Sequence, residues 1–232
     1  MTNSILSGAR AVIFDVGNTL TTPDWERISQ AVTEVCDRRF EDADLQRRIT
    51  AILLAADSDP DFLNRLSANS IRTNWHFRLL FTDLGLVEQQ VDQLAEALDR
   101  LHAERHLWAR ANLDAREVLE QLKGRGFRLG AISNSEDGRV EDLLRDTGLL
   151  PLMDVHLDSF LVGYTKPDPR IFQLATEKLG VSPTESAFVG DTYTQDIVGA
   201  QSAGLRAILY DPLALRSDEA APIIRSLKEL LL

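Results

Sequence analysis

Ala11-Val12-Ile13-Phe14-Asp15-Val16-Gly17-Asn18-Thr19-Leu20 is the stretch on which the reading of this chain turns. Four apolar residues run without interruption, end on a carboxylate and give way to turn formers. Such a run, bounded by turn signals, predicts a strand buried on both faces, the kind found in parallel sheets, with Asp15 at its C-terminal tip. In open α/β sheets ligands bind at that edge. The pattern returns at Ala187-Phe188-Val189-Gly190-Asp191, followed by Thr192-Tyr193-Thr194-Gln195-Asp196. Two buried carboxylates side by side repel unless a cation sits between them, and an all-oxygen site suits Mg²⁺.

Outward from Asp15 the strand–helix rhythm stops. Residues 24–108 show helical periodicity and almost no strand signal. Ile28, Val32 and Val35 share one helix face, and Leu45, Ile49, Ile52 and Leu53 a second. Ile71, Trp75 and Leu79 share a third, and Val91, Leu94, Leu98, Leu101 and Trp108 a fourth. Asp57-Ser58-Asp59-Pro60 and Asp83-Leu84-Gly85 are the breaks. An antiparallel helical bundle inserted after the first strand is expected, with hinges near residues 20–23 and 109–112. The rhythm then resumes. Asp114 can N-cap a helix to about Lys123, stopped by Gly124 and Gly126. Strands are expected at residues 127–132, 155–157, 187–189 and 206–210. Helices are expected at 141–146, 169–179, 196–203 and 222–232. Repeated β–α units imply a doubly wound parallel sheet with helices on both faces. The expected division is an α/β core of residues 1–22 and 110–232 and an all-helical insertion of residues 23–109.

Composition narrows the function classes. The 232 residues, 44% of them hydrophobic, are enough for a core with a smaller second domain. A formal net charge of −11 disfavours nucleic acid and anionic membrane surfaces as partners. The single cysteine, Cys36, excludes an internal disulfide and fits a reducing compartment. With no signal-peptide pattern in residues 1–10 and no membrane-spanning apolar run, a soluble cytoplasmic protein is expected. No Gly-x-x-x-x-Gly-Lys-Ser/Thr loop, no Gly-x-Gly-x-x-Gly after a strand and no zinc pattern is present.

Four polar signals fall at strand ends or just beyond: Asp15, Ser133-Asn134, Lys166-Pro167-Asp168-Pro169 and Gly190-Asp191 with Asp196. In this order they resemble the four motifs of the haloacid dehalogenase-like hydrolase superfamily, Asp-x-x-x-Thr-Leu, Ser/Thr-Asn, Lys-Pro and Gly-Asp-x-x-x-Asp. The helical insertion is similar to the cap of one subfamily. The resemblance implies a Rossmann-like core and a phosphatase in which Asp15 is the nucleophile, attacking phosphorus and forming an aspartyl-phosphate. It makes Asp191 a Mg²⁺ ligand with an Asp15 oxygen and the Gly17 carbonyl, and Asp196 a support of that shell. Ser133, through its hydroxyl and the amide next to it at Asn134, would bind phosphate, and Gly17 would also line the substrate site. Lys166 would neutralise its charge and keep Asp15 ionised. The implied substrate is a small phosphorylated metabolite.

One position departs from the family. Its phosphatases usually carry a second Asp, the general acid, where this chain has Gly17. The dehalogenase branch also lacks that Asp, but it lacks the metal carboxylate at Asp191 as well. Phosphatase chemistry is therefore expected over two alternatives, a metal-independent 2-haloacid dehalogenase and a non-catalytic phosphate- or partner-binding protein. Asp24, Trp25 and Glu26 are candidate substrate contacts, with Trp25 equally readable as a packing anchor between insertion and core. The insertion could supply a substitute for the missing acid, with His76 between Trp75 and Phe77. His102 and His106, one helical turn apart, are read as solvated or packing residues, and His156 as structural. Oligomeric state is left open.

Overall fold

The computed structural model describes residues 4–59, 75–216 and 221–232. Pro60 and Ile71 lie outside them. The chain forms two compact units, Met1–Thr22 with Arg110–Leu232, and Pro23–Ala109.

The first unit holds a six-stranded sheet of β1 (Ala11–Asp15), β4 (Arg128–Ser133), β5 (Val155–Asp158), β6 (Ser186–Gly190), β7 (Arg206–Tyr210) and β8 (Ile223–Ile224). All neighbours are parallel, in the order β5-β4-β1-β6-β7-β8. Counted in chain order, these six strands run 3-2-1-4-5-6, the doubly wound arrangement whose progression reverses beside its first strand. β1 is the central strand, and its five residues are all buried. Ala11 and Ile13 join Ile132, Ile171, Phe172 and Phe188 in one apolar cluster. Val12 and Phe14, on the opposite face by strand alternation, are equally buried. Burying a side chain such as Ile13 or Phe14 contributes about 1.5–3 kcal/mol, so the uninterrupted apolar run is what a strand covered on both faces requires.

A second, antiparallel ribbon joins β2 (Thr21–Thr22) to β3 (Arg110–Ala111). It ties the two linkers of the insertion together within the first unit. Two-residue strands leave no alternation to read, which is why the sequence reading missed them.

The helix Pro169–Leu179 has Pro at its first turn, an Asp168 side chain accepting from Arg170 N, and a left-handed Gly180 at its end. Asp114 holds the N-cap position of the helix Ala115–Gly124, yet makes no capping bond. Asn112 Oδ1 accepts from Asp114 N instead, while Ser226 Oγ donates to the Asp114 carboxylate. The closing helix expected at residues 222–232 is not formed. Ile223 and Ile224 pair with Leu209 and Tyr210 as β8, and Leu227–Leu231 is a 3₁₀ turn. Ser226 and Glu229 form a capping box that starts a new element there, cutting the apolar pattern in two. The helix expected at 196–203 begins earlier, as a π-helical turn over Tyr193–Val198 continued by Gly199–Ser202.

The second unit contains the helices Trp25–Cys36, Asp42–Asp57, Trp75–Asp83 and Glu88–Glu104 among the described residues. Ile28, Val32, Leu45, Ile49, Phe77, Phe81, Leu94 and Leu98 form its core. Trp25 is part of that core: its ring meets Phe77 edge-on at 6.2 Å and Nε1 donates to Gln46 Oε1 at 2.8 Å. His102 and His106 each accept a backbone N–H at Nδ1, from Leu107 and Trp108. His76 packs against Trp75, Phe77 and Trp108. No described helix is long and apolar enough to cross a membrane.

Candidate active site

Asp15 ends β1, Ser133 ends β4, and Asp191 follows the last residue of β6. These three strands are adjacent, with β1 in the middle, so sheet topology alone brings the three side chains to one edge. Lys166 arrives from a different direction, on the segment that precedes helix Pro169–Leu179.

Lys166 is 4% exposed. Its Nζ donates to Asp15 Oδ1 at 2.5 Å and to Asp196 Oδ1 at 2.7 Å, and lies 5.5 Å from the centre of the Phe188 ring. A buried ammonium is tolerated only with such partners. Burial by itself would lower the Lys166 pKa, but the Asp15 and Asp196 carboxylates outweigh it and raise it above the usual range. The lysine is therefore a fixed positive charge. Its backbone is fixed as well: Asn134 Oδ1 accepts from Lys166 N at 2.8 Å, and Asn134 Nδ2 donates to Lys166 O at 3.0 Å and to Gln195 Oε1 at 2.8 Å. Both amide hydrogens of Asn134 are thus engaged, and its side chain positions Lys166.

The second oxygen of Asp196 accepts from Thr192 N at 3.0 Å and Thr192 Oγ1 at 2.7 Å. Asp196 is fully buried. It braces Lys166 from the π-helical turn, a distortion often found at functional sites. Asp191 is half-buried and receives a hydrogen bond from the Asn18 side chain. Asn18 holds a left-handed backbone, φ 58°, which Asn tolerates better than most residues.

Ligand oxygens of Asp15, Asp191 and Asp196 all lie within 4.8 Å of one another. Three carboxylates face one ammonium, and the imbalance bears on Asp15 and Asp191. Burial, against the opposing pull of Lys166, raises Asp15 to a pKa of about 6. Asp191 is raised well above the carboxylate range by burial and by the charges of Asp15 and Asp196. Asp15 Oδ2 is buried and has no hydrogen-bond partner among the described residues. A carboxylate with an orphaned oxygen, clustered with two further carboxylates, is a donor set that fits a hard divalent cation. Thr19 Oγ1 is also buried without a hydrogen-bond partner among the described residues. It is the threonine of the first motif, to which the sequence reading gave no role.

Gly190 explains how closely these parts pack. A Cβ there would stand 2.5 Å from Asp196 Cγ. Gly190→Ala is expected to push Asp196 off Lys166 and Thr192 and to lower turnover by about 100-fold, the usual scale for a displacement of about 1 Å at a site. Melting and steady-state kinetics of the purified variant check this, and wild-type kinetics would refute the assignment.

The model of the family described as haloacid dehalogenase-like hydrolase matches residues 9–204. The chain belongs to that family. It is a hydrolase on the fold whose strand tips have just been described. Among curated relatives it is 32% identical over 202 residues to Phosphatase MT3486 of Mycobacterium tuberculosis (strain CDC 1551 / Oshkosh), covering 87% of each chain. Among solved structures it resembles a HAD phosphatase from Thermococcus onnurineus, at 28% identity and a TM-score of 0.61 over 95% of each chain. It also resembles a 2-haloacid dehalogenase from Pseudomonas syringae pv. Tomato DC3000, at 26% identity and a TM-score of 0.58 over 96% of each chain.

Proposed function

We propose that this hydrolase is a Mg²⁺-dependent phosphatase of small phosphorylated metabolites, with Asp15 as nucleophile. The observation that carries the reading is the state of Asp15: one oxygen is held by Lys166, the other is buried without a hydrogen-bond partner among the described residues, and the carboxyl group belongs to a cluster with Asp191 and Asp196. Dehalogenation needs the nucleophile and the lysine but no cluster of three carboxylates. The phosphatase named among the relatives points the same way. The unit Pro23–Ala109 corresponds to the inserted cap, and the remainder to the catalytic core.

In this reading Asp15 attacks phosphorus in line, the bond to the leaving oxygen breaks with its electron pair, and water then cleaves the aspartyl-phosphate to free phosphate and Asp15. Lys166 opposes the charge of the transferring group and keeps Asp15 anionic, with Asp196 and Asn134 fixing its place. Ser133 hydroxyl donates to a phosphate oxygen. Asp15, Asp191 and the Gly17 carbonyl would hold Mg²⁺, with Asp196 supporting them. When bound, the ion neutralises the excess carboxylate charge and that of the phosphate.

The test is parallel assay of phosphate release from a panel of small phosphate esters and of halide release from 2-haloacids, each with Mg²⁺ or EDTA. Phosphate release confined to the Mg²⁺ arm is expected; halide release in EDTA without phosphate release would overturn the proposal. Gly17 sharpens the expectation. It has no side chain to protonate a leaving group, a contribution typically worth about 10²–10⁴ in rate. Phenyl and acyl phosphates should therefore exceed simple alkyl phosphates in kcat/KM by about 100-fold or more. A flat ranking would show that another group supplies the proton.

A further inference from the structure

We infer that the Asn112 carboxamide is a latch that fixes the loop following Asp15, making Asn112 and Tyr210 positioning residues for chemistry at Asp15. The kinetic part of this inference rests on the function proposed above; its structural part does not.

The loop folds back on itself after β1. Leu20 N and Thr21 N both donate to Val16 O at 2.9 Å, and Thr21 Oγ1 donates there too, at 3.2 Å. Thr19 and Leu20 are fully buried, so their carbonyls must find donors within the protein. One residue supplies both. Asn112 N donates to Leu20 O at 2.9 Å, and Asn112 Nδ2 donates to Thr19 O at 2.9 Å. The second Nδ2 hydrogen goes to the Tyr210 hydroxyl at 2.9 Å, and Oδ1 accepts from Asp114 N at 3.0 Å. Both Nδ2 hydrogens and one lone pair of Oδ1 are engaged, and the two ends cannot be exchanged: Asp114 N–H requires an acceptor, and the Thr19 carbonyl requires a donor.

Tyr210 ends β7 and is 6% exposed. Through it the latch is referenced to the sheet two strands away from β1. The partners are 93 and 98 residues from Asn112 in sequence. The latched loop carries Gly17, Asn18 and the orphaned Thr19 hydroxyl, so any relaxation of the Thr19–Leu20 carbonyls moves the groups around Asp15. The β2–β3 ribbon pairs Thr21 with Ala111 and Thr22 with Arg110 independently of the amide, so the linkers stay joined when the latch is cut.

Three variants test this. Asn112→Asp is isosteric, keeps the acceptor for Asp114 N–H and turns the two Nδ2 donors into carboxylate lone pairs, one facing the Thr19 carbonyl and one the Tyr210 hydroxyl. Asn112→Ala removes the amide. Tyr210→Phe removes only the hydroxyl. Amide hydrogen exchange at Leu20 and Thr21 should accelerate by about 10-fold or more in both Asn112 variants, with β4 amides unchanged. With an aryl phosphate and Mg²⁺, kcat should fall by about 10–100-fold in both and less in Tyr210→Phe, with KM moving by less than about 3-fold. Wild-type exchange and turnover in Asn112→Asp would overturn the inference. So would acceleration spread equally over β4, because Asn112 would then be a general stability residue. If the wild-type enzyme releases no phosphate, the proposed function fails, and the exchange data still decide the latch.

Discussion

Asp15→Asn is expected to abolish phosphate release, by about 10⁴-fold or more, while leaving the cation-free protein at least as stable as wild type. The two effects share one origin. Asp15 is a buried carboxylate whose pKa is pushed up to about 6, so at neutral pH the fold holds a charge it would rather not carry. The Asn amide is uncharged and similar in shape. It relieves the repulsion with Asp191 and Asp196, and it leaves Lys166 its bond to Asp196. It cannot attack phosphorus. Phosphate assays and thermal melts in EDTA, on one preparation, check both. Substantial residual turnover would remove Asp15 from the role of nucleophile. A large fall in melting temperature would show that its pairing with Lys166 outweighs the cost of burial.

Chelation of divalent cations is expected to lower turnover by about 10³-fold or more, and added Mg²⁺ to restore it. The same titration should stabilise the protein. At 100 times its dissociation constant a ligand contributes about 2.7 kcal/mol, which for a chain of this size is about 5–10 °C in melting temperature. The shift should shrink in Asp15→Asn and in Asp191→Asn, since each removes a carboxylate from the cluster. Asp196→Asn should act differently. Asp196 spends both oxygens on Lys166 and Thr192, so its loss should weaken catalysis more than cation binding. Equal loss of cation stabilisation in all three variants would make Asp196 a direct ligand on the same footing as the others.

Much of the core was legible because both signals that define it are local. Apolar runs long enough to cross a covered sheet mark β1 and β6, and Asp168, Pro169 and Gly180 bracket their helix with their own backbone chemistry. The strand-end carboxylates were readable for the same reason: a charge after an apolar run has few structural excuses. What escaped depends on partners far along the chain. β8 is two residues long and exists only because β7 offers an edge. The apolar spacing of residues 222–232 suits a helix until the Ser226–Glu229 capping box interrupts it. Sequence reading takes Asn134 only for the amide it offers next to Ser133, and the clasp its side chain makes on Lys166, 32 residues away, has no sequence signal. Asn112 and Tyr210 carry no signal at all in the sequence, since an Asn near a helix start and a Tyr ending a strand are ordinary. Trp25, a candidate for substrate contact by its nearness to the first motif, is a core residue of the helical unit.

The most direct measurement is acid quench of the enzyme turning over an aryl phosphate labelled at phosphorus, followed by peptide mapping. The expected result is label bound to the protein, labile to neutral hydroxylamine as an acyl phosphate must be, on the peptide that contains Asp15 and absent from Asp15→Asn. Label on Ser133 or a histidine, or continued turnover by Asp15→Asn, would contradict it.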